Sequence, residues 1–172
     1  MNTPRFTPFP VLLTDRFRLR ELRISDDNEI FILRTDEGVN HFLDRPRANS
    51  MEDVRRFIQT ITENIAKDAA IMWAIEPLDG GALAGTICLW NISWADARAE
   101  VGYELLPQHQ GKGVMHEVLP VVIEYGFSGM GLRVMAAEMS EGNVRSARLL
   151  ERYGFVKGGM LDGVVFYTRI PL

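Results

Sequence analysis

Residues 105–119, LLPQHQGKGVMHEVL, place two glycines, Gly111 and Gly113, between a strand-like run and a helix-like run. The backbone N–H groups in the first turn of a helix have no partner within that helix, so here they would converge beside the glycines. Glycines let a bulky anion approach the backbone, and the helix dipole adds roughly 0.3–1 kcal/mol of preference for negative charge. The segment therefore predicts an anion site at a strand-to-helix junction.

Two common nucleotide signatures do not match this segment. It lacks the Lys-Ser/Thr ending of a P-loop, and it lacks the third glycine and the downstream acid of a dinucleotide fingerprint. We therefore expect a different ligand that carries a pyrophosphate; the alternative is a tight turn that binds no ligand.

The sequence on both sides of the glycines alternates strands and helices. Upstream, residues 69–77 and 82–92 read as two strands joined by the turn LDGG, and a third strand begins at Ala97. Downstream, apolar residues at helical spacing predict a helix, which Pro120 interrupts and could kink. A strand (LRVMAAEM), a helix (residues 143–153) and a last strand (VVFYTRI) follow.

The N-terminal third adds one strand and two helices. Residues 11–22 alternate Arg16, Arg18 and Arg20 against other side chains, which predicts a strand with one wet face. A short helix follows a capping pair, Asp26 and Glu29, and a longer one covers residues 51–67 after the possible cap at Ser50. The predicted fold class is mixed α+β, with residues 1–172 forming one domain around one core.

Composition excludes several classes of function. With 172 residues and 47% hydrophobic composition the chain can close one sizeable core. The net charge of −4 is scattered, which argues against a nucleic-acid partner. One cysteine, Cys88, and three unclustered histidines predict neither a disulfide nor a metal site. The sequence contains no apolar run long enough to span a bilayer. Its N-terminus, with Pro4, Pro8 and Pro10, lacks the basic-then-apolar layout of a signal peptide. We therefore expect a cytoplasmic protein with no membrane partner.

The glycine segment resembles the acetyl-CoA pyrophosphate loop of the GNAT (GCN5-related N-acetyltransferase) superfamily, whose pattern is Gln-x-x-Gly-x-Gly after a strand. EVGYELLPQHQGKG, VIEYGF and residues 143–155 are similar, in that order, to the Rim-type branch that acetylates ribosomal-protein N-termini, as is the opening LLTDRFRLREL. The resemblance spans nearly the whole chain. It implies a mixed sheet of about six to seven strands with a V-shaped splay between two parallel strands, flanked by about four helices, and acetyl-CoA as cosubstrate.

The resemblance also implies a set of coenzyme-binding residues. By this resemblance, the backbone amides of residues 110–114 bind the phosphates of coenzyme A, and Asn143 hydrogen-bonds its pantetheine arm. The side chain of Lys112 could be incidental, and Arg148 and Arg152 could reach the 3′-phosphate or remain solvated. The full set is Leu105, Leu106, Gln108, Gln110, Gly111, Lys112, Gly113, Val114, Met115, Asn143 and Arg148.

Two side chains are the catalytic candidates. Glu104 is the leading base, although Glu100 shares its face on an unbroken strand and alternation does not choose between them or a water. The alternative role for Glu104 is an exposed strand glutamate paired with an arginine such as Arg98. By resemblance, Ser146 hydrogen-bonds the sulfur of coenzyme A; alternatively it packs or caps its helix.

Other reactive or aromatic residues have weaker claims. The position of the tyrosine acid that many members carry is occupied here by Leu150, and Tyr153 lies too far along the helix to substitute simply. Cys88 reads as a small buried residue and not as a nucleophile. Of Trp73, Trp90 and Trp94, some could line an acceptor groove while one or two belong to the core.

The acceptor is an amine, and an α-amine is the least demanding one. At pH 7 a peptide α-amine is neutral in roughly one molecule in eight, whereas a lysine is neutral in about one in 2,500. We therefore expect direct acetyl transfer within a ternary complex to a protein N-terminus. A small amine (polyamine, antibiotic or amino acid) and a non-catalytic acyl-CoA-binding module remain alternatives. The acceptor side would be lined by residues 36–46, the helix after Ser50 and residues 90–96. Separately, a homodimer could form through the exposed edge of the final strands.

Overall fold

The fold comes from a computed structural model that describes residues 6–172, so Pro4 lies outside the described residues. Eight strands form one mixed sheet in the order β1-β2-β3-β4-β5-β6-β8-β7. The strands are β1 (Leu12–Leu13), β2 (Phe17–Glu21), β3 (Ile71–Pro77), β4 (Gly85–Ser93), β5 (Arg98–Leu105), β6 (Val134–Ser140), β7 (Val156–Leu161) and β8 (Val164–Arg169). The helices are α1 (Asp27–Thr35), α2 (Glu37–Asn40), α3 (Met51–Ala66), α4 (Val114–Glu124) and α5 (Val144–Arg152).

This architecture confirms the predicted fold class, and residues 6–172 contain eight strands and five α-helices where about six to seven strands and about four helices were predicted. Only β5 and β6 run parallel; the other neighbouring strands of the sheet are antiparallel. The crossover between β5 and β6 contains α4, as a parallel connection requires. Among residues 6–172, no helix combines the length and the apolarity needed to cross a bilayer.

The parallel pair separates soon after it begins. Residues 98–100 of β5 pair with residues 134–136 of β6, and no pair follows between these two strands. Beyond that point β5 stays with β4 as far as Leu105, while β6 stays with β8 as far as Ser140. The two strands therefore form a V-shaped splay whose inner edges carry backbone groups without a partner strand.

The sheet is covered on both faces. Ala99 and Val101 of β5 pack with Val118 and Val122 of α4 in the larger buried cluster. On the opposite face, residues of α1 and α3 pack against Ala74 in a second cluster. The splay therefore opens between a face covered by α4 and α5 and a face covered by α1 and α3.

The predicted N-terminal strand is wrong in two respects. A turn after β1 breaks it, and Arg20 is buried instead of lying on a wet face. Two nitrogens of Arg20 donate to the two carboxylate oxygens of Asp26 at 2.9 and 2.8 Å, and its Nε donates to Glu76 at 2.8 Å. The hydrogen bond to Asp26 raises the pKa of Arg20 although burial opposes it. Asp26 is thus committed to Arg20 and to the backbone N–H of Arg23, and it forms no capping pair with Glu29.

The other sequence assignments hold at the level of whole elements. The long helix is confirmed as α3, whose cap Ser50 accepts a hydrogen bond from the backbone N–H of Asp53 at 3.1 Å. Strand β7 was not predicted, because it contains Gly158 and Gly159 and all of its residues are exposed, which leaves no alternation to detect. It pairs only with β8 and forms one edge of the sheet.

Candidate active site

The predicted anion loop joins β5 to α4. Gly111 and Gly113 have φ of +72° and +73°, in the left-handed region that favours glycine, and Gly113 caps α4. Among residues 6–172, no acceptor takes a hydrogen bond from the backbone N–H groups of residues 111–116. Gly111 and Lys112 are exposed. The first turn of α4 therefore presents a group of unused donors and its dipole to one open space.

Gln110 ties this loop to both arms of the splay. Its Nε2 donates to the carbonyl oxygen of Leu105, at the end of β5, at 3.1 Å. Its Oε1 accepts from Arg145, in the first turn of α5, at 3.4 Å. The predicted loop residue Gln108 is exposed beside it.

Three of the predicted coenzyme-binding residues have buried side chains. Val114 and Met115 lie in the core under α4, so only their backbone N–H groups face the loop. Leu106 is 1% exposed, its N–H donates to Ala84 and its carbonyl accepts from His109. Among the predicted coenzyme-binding residues, Leu106 is therefore the least able to bind a ligand, because its side chain is buried and its backbone N–H and C=O already have partners.

The start of α5 lies across the splay from β5. Asn143 caps this helix, since its Oδ1 accepts from the N–H of Ser146 at 3.3 Å. The hydroxyl of Ser146 is a neighbour of the Tyr103 phenol. Burial raises the pKa of Tyr103 to about 12, and the nearby Ser146 side chain opposes the rise. Arg148 is exposed and forms no ion pair within residues 6–172.

Tyr103 did not emerge from the sequence. Strand alternation places it on the face opposite Glu104, towards α4 and α5. Only the packing of α5 against that face brings a phenol, which stays protonated at neutral pH, beside Ser146. The available signal was the alternation itself, which separates Tyr103 from the glutamates.

Tyr153 is occupied by a structural hydrogen bond. Pro120 has no N–H to donate to the carbonyl of His116, one helical turn earlier. The Tyr153 hydroxyl donates to that same carbonyl oxygen at 2.7 Å. The phenol therefore replaces the missing backbone donor of α4 and joins α4 to the end of α5.

Glu104 lies on the other face of the sheet and is mostly buried. Its side chain is 10% exposed, and the Thr86 hydroxyl lies 3.4 Å from its Oε1. The partner of Oε2 is Arg45, at 2.6 Å, and not Arg98 as one alternative predicted. The N–H bonds of Arg45 are not directed at this oxygen, so Oε2 is buried without a hydrogen-bond donor among the described residues.

Arg45 is fixed by the helices beside it. Its Nε donates to Asn40 at 2.9 Å and its Nη2 to the Leu33 carbonyl at 3.1 Å. In the same loop the carbonyl of Phe42 accepts from Ser140, at the end of β6, at 2.8 Å. Residues 41–50, which connect α2 to α3, thus contact both arms of the splay on the face that carries Glu104.

The sequence matches the family of acetyltransferase (GNAT) domains over residues 16–156. The chain belongs to the GNAT acetyltransferase family. YoaA of Bacillus subtilis strain 168, an uncharacterized N-acetyltransferase, is 34% identical over 163 residues, which are 95% of this chain and 92% of the relative. A ribosomal-protein-serine acetyltransferase of Escherichia coli K12 is 29% identical over 131 residues, 70% of this chain and 72% of the relative. The match confirms the resemblance seen in the sequence.

Solved structures show the same fold. RimL, a ribosomal-protein α-N acetyltransferase in complex with coenzyme A, superposes with a TM-score of 0.83 at 22% identity and covers 94% of this chain and 98% of its own. The eight-stranded sheet and its splay are thus the GNAT fold, and this chain is a GNAT-type N-acetyltransferase.

Further carboxylates of this GNAT protein share the face of Glu104. A bulge in β4, between Trp90 and Ser93, leaves β5 regular, so Glu100 and Glu104 do lie on one face. Glu100 is buried, and its Oε1 accepts from Asn91 at 2.7 Å. Glu138 of β6, which the sequence did not single out, extends the same face by alternation; burial and then the charge of Glu100 raise its pKa.

The tryptophans and the cysteine divide as follows. Trp73 is fully buried and Trp94 is partly buried, while Trp90 is exposed on the face of Glu100 and is the one candidate for an acceptor groove. Burial, followed by the charge of Glu104, raises the pKa of Cys88 to about 12. Its thiol is therefore held in the protonated, less nucleophilic form at neutral pH.

Proposed function

We propose that this protein transfers the acetyl group of acetyl-CoA to the α-amine of a protein or peptide N-terminus, by direct transfer in a ternary complex. The observation that carries the proposal is the splay, which has unused amide donors on one face and a buried carboxylate on the other. Two substrates can then meet from opposite faces of the sheet. The names of the E. coli relative and of RimL support the choice of a protein N-terminus.

The coenzyme would be held mainly by the backbone. The free N–H groups of residues 111–116 are the donors for a diphosphate, and the helix dipole of α4 adds to them. The inner edges of β5 and β6 beyond their last pair offer N–H and C=O groups to the amides of a pantetheine arm. Asn143 and Ser146 stand at the start of α5, where that arm would end.

The reaction needs one proton removed and one supplied. The amine nitrogen bonds to the thioester carbonyl carbon, the C–S bond breaks, the amine loses a proton and the departing thiolate gains one. Glu104 is the proposed acceptor of the amine proton, a role that typically contributes about 10²–10⁴-fold. Because Arg45 lies against Oε2, the proton would reach Oε1 or pass through a water. Ser146, beside the protonated Tyr103, would donate a hydrogen bond to the sulfur.

An α-amine suits this arrangement because a fraction of about one in eight is already neutral at pH 7. A lysine would require a stronger base than one ion-paired carboxylate.

A single domain in a reducing cytoplasm is part of the same proposal, supported by the single sheet and the lone, unpaired Cys88.

An acceptor panel tests the proposal. Purified protein is given acetyl-CoA with peptides that begin with Ser or Ala, with the same peptides blocked at the N-terminus but containing lysine, and with spermidine. We expect turnover of the free N-termini alone. Efficient turnover of only spermidine would replace the protein acceptor by a small amine.

A binding measurement separates catalysis from cofactor sensing. At 100 times its Kd, acetyl-CoA adds about 2.7 kcal/mol of stability, which raises the melting temperature of a domain this size by roughly 5–11 °C. Such a shift without turnover of any amine would indicate an acyl-CoA-binding module. The absence of a shift with CoA and acetyl-CoA would refute the coenzyme site.

A further inference from the structure

Arg16, which precedes β2, reaches the glycine loop from a distant part of the chain. Its Nη1 donates to the carbonyl oxygen of Lys112 at 3.2 Å. Its Nε lies 2.6 Å from Oε2 of Glu117, in the first turn of α4, and its backbone N–H donates to Oε1 of the same carboxylate at 2.7 Å. The side chain is 52% exposed, yet three hydrogen bonds connect this residue to the loop and the helix.

Glu117 is held as firmly as Arg16. The Thr14 hydroxyl donates to its Oε1 at 2.6 Å. Burial alone would raise the pKa of Glu117, but the hydrogen bonds from Thr14 and Arg16 outweigh it and lower the pKa below the ordinary value. Glu117 is therefore ionised at neutral pH and anchors the guanidinium of Arg16 beside the loop.

The bond to Lys112 decides which way one loop amide points. A trans peptide is planar, and its C=O and N–H point in opposite directions. Because the carbonyl of Lys112 points to Arg16, the N–H of Gly113, in the same peptide, points away from it. That peptide is followed directly by Gly113, which has no Cβ and can adopt either sign of φ, so the loop by itself does not fix the direction of the peptide.

We infer that Arg16 is a positioning residue of the diphosphate site, which holds the peptide between Lys112 and Gly113 so that the N–H of Gly113 faces the anion. The inference rests on the proposed function, because the anion is the diphosphate of acetyl-CoA. The guanidinium also places a positive charge near the loop. A positioning role requires its fork of donors, whereas a purely electrostatic role requires only the charge.

The test compares Arg16→Met and Arg16→Lys with the wild type, using acetyl-CoA and S-acetylpantetheine, which lacks the diphosphate. Arg18→Met is the matched control, since Arg18 is also a half-exposed arginine with one glutamate partner, Glu76. We expect both Arg16 variants to raise the KM for acetyl-CoA about tenfold, which corresponds to about 1.4 kcal/mol. The kcat, the KM for the acceptor and all rates with S-acetylpantetheine should change less than twofold.

Three results would overturn the inference. An Arg16→Lys variant that behaves like the wild type would show that charge alone matters. An equal loss with S-acetylpantetheine would show a general structural role, as would an Arg18→Met variant with the same effect. Glu117→Gln keeps Arg16 but weakens its anchor, so it should raise the KM for acetyl-CoA in the same direction; an unchanged KM would contradict the mechanism. Failure of the wild type itself to bind acetyl-CoA would instead refute the proposed function.

Discussion

Arg45→Met should destabilise the protein, and removing Glu104 as well should recover part of the loss. The two side chains approach to 2.6 Å and are 23% and 10% exposed. Breaking a fully buried pair costs about 3–5 kcal/mol, and breaking an exposed pair costs about 0.2–1 kcal/mol. Since most of this pair is shielded and Arg45 also bonds Asn40 and Leu33, we expect a loss of about 2–3 kcal/mol. The melting temperature of a domain this size would fall by about 4–12 °C.

The loss has a specific origin that a double-mutant cycle isolates. In Arg45→Met the carboxylate of Glu104 remains buried without a counter-charge, and that is the larger part of the cost. Glu104→Gln removes the charge, so the double variant should be more stable than the sum of the single losses predicts, with a coupling energy of about 1–2 kcal/mol. Urea denaturation followed by circular dichroism measures all four proteins.

Arg56→Met provides the control for this cycle. Arg56 pairs with Glu52 at 3.2 Å on the surface of α3, where both side chains are mostly exposed. Its loss should cost no more than about 0.5 kcal/mol. If Arg45→Met and Arg56→Met are equally mild, or if Glu104→Gln brings no relief, then Glu104 and Arg45 are not coupled and the assignment of a shielded ion pair beside the splay is wrong.

Two further predictions concern the chemistry and the loop. Glu104→Gln should slow single-turnover transfer by about 10²–10⁴-fold, and Ser146→Ala should also slow it. In both variants, calorimetric titration should show an unchanged affinity for acetyl-CoA. If both variants transfer the acetyl group at the wild-type rate, the proposed roles of Glu104 and Ser146 are wrong. Glu117→Gln should lower the melting temperature at neutral pH, because an acid with a depressed folded pKa stabilises the fold above its unfolded value near 4.5. The difference from wild type should be complete above about pH 4.5 and should shrink as the pH falls through the lowered folded pKa of Glu117, and a difference that does not change with pH would contradict the assignment.

Local signals account for what the sequence predicts well. The apolar spacing in residues 51–67 and the cap at Ser50 are properties of one segment, and α3 forms there. The glycines at 111 and 113 likewise require only their own loop, and both adopt the left-handed conformation. In contrast, β7 has no pattern of its own and exists because β8 offers it an edge.

Ion pairs between distant segments were the main source of error. Alternation placed Arg20 on a wet face, but Asp26 and Glu76 supply two carboxylates that pair with its buried guanidinium and offset part of the desolvation cost. Arg98 was the example of an arginine partner considered for Glu104, and the actual partner, Arg45, comes from the loop after α2. Charged side chains are long and their partners depend on packing, so sequence neighbourhood is a poor guide to them.

The sequence by itself determined the family, the α+β class and the position of the glycine loop between a strand and a helix, because each of these depends on short-range spacing and backbone conformation. Only the tertiary structure decided that β5 and β6 part after three paired residues, that Arg45 shields Glu104, and that Arg16 reaches the carbonyl of Lys112. These contacts join residues that are far apart in the chain. Their formation depends on how the helices and the sheet pack, which no local pattern encodes.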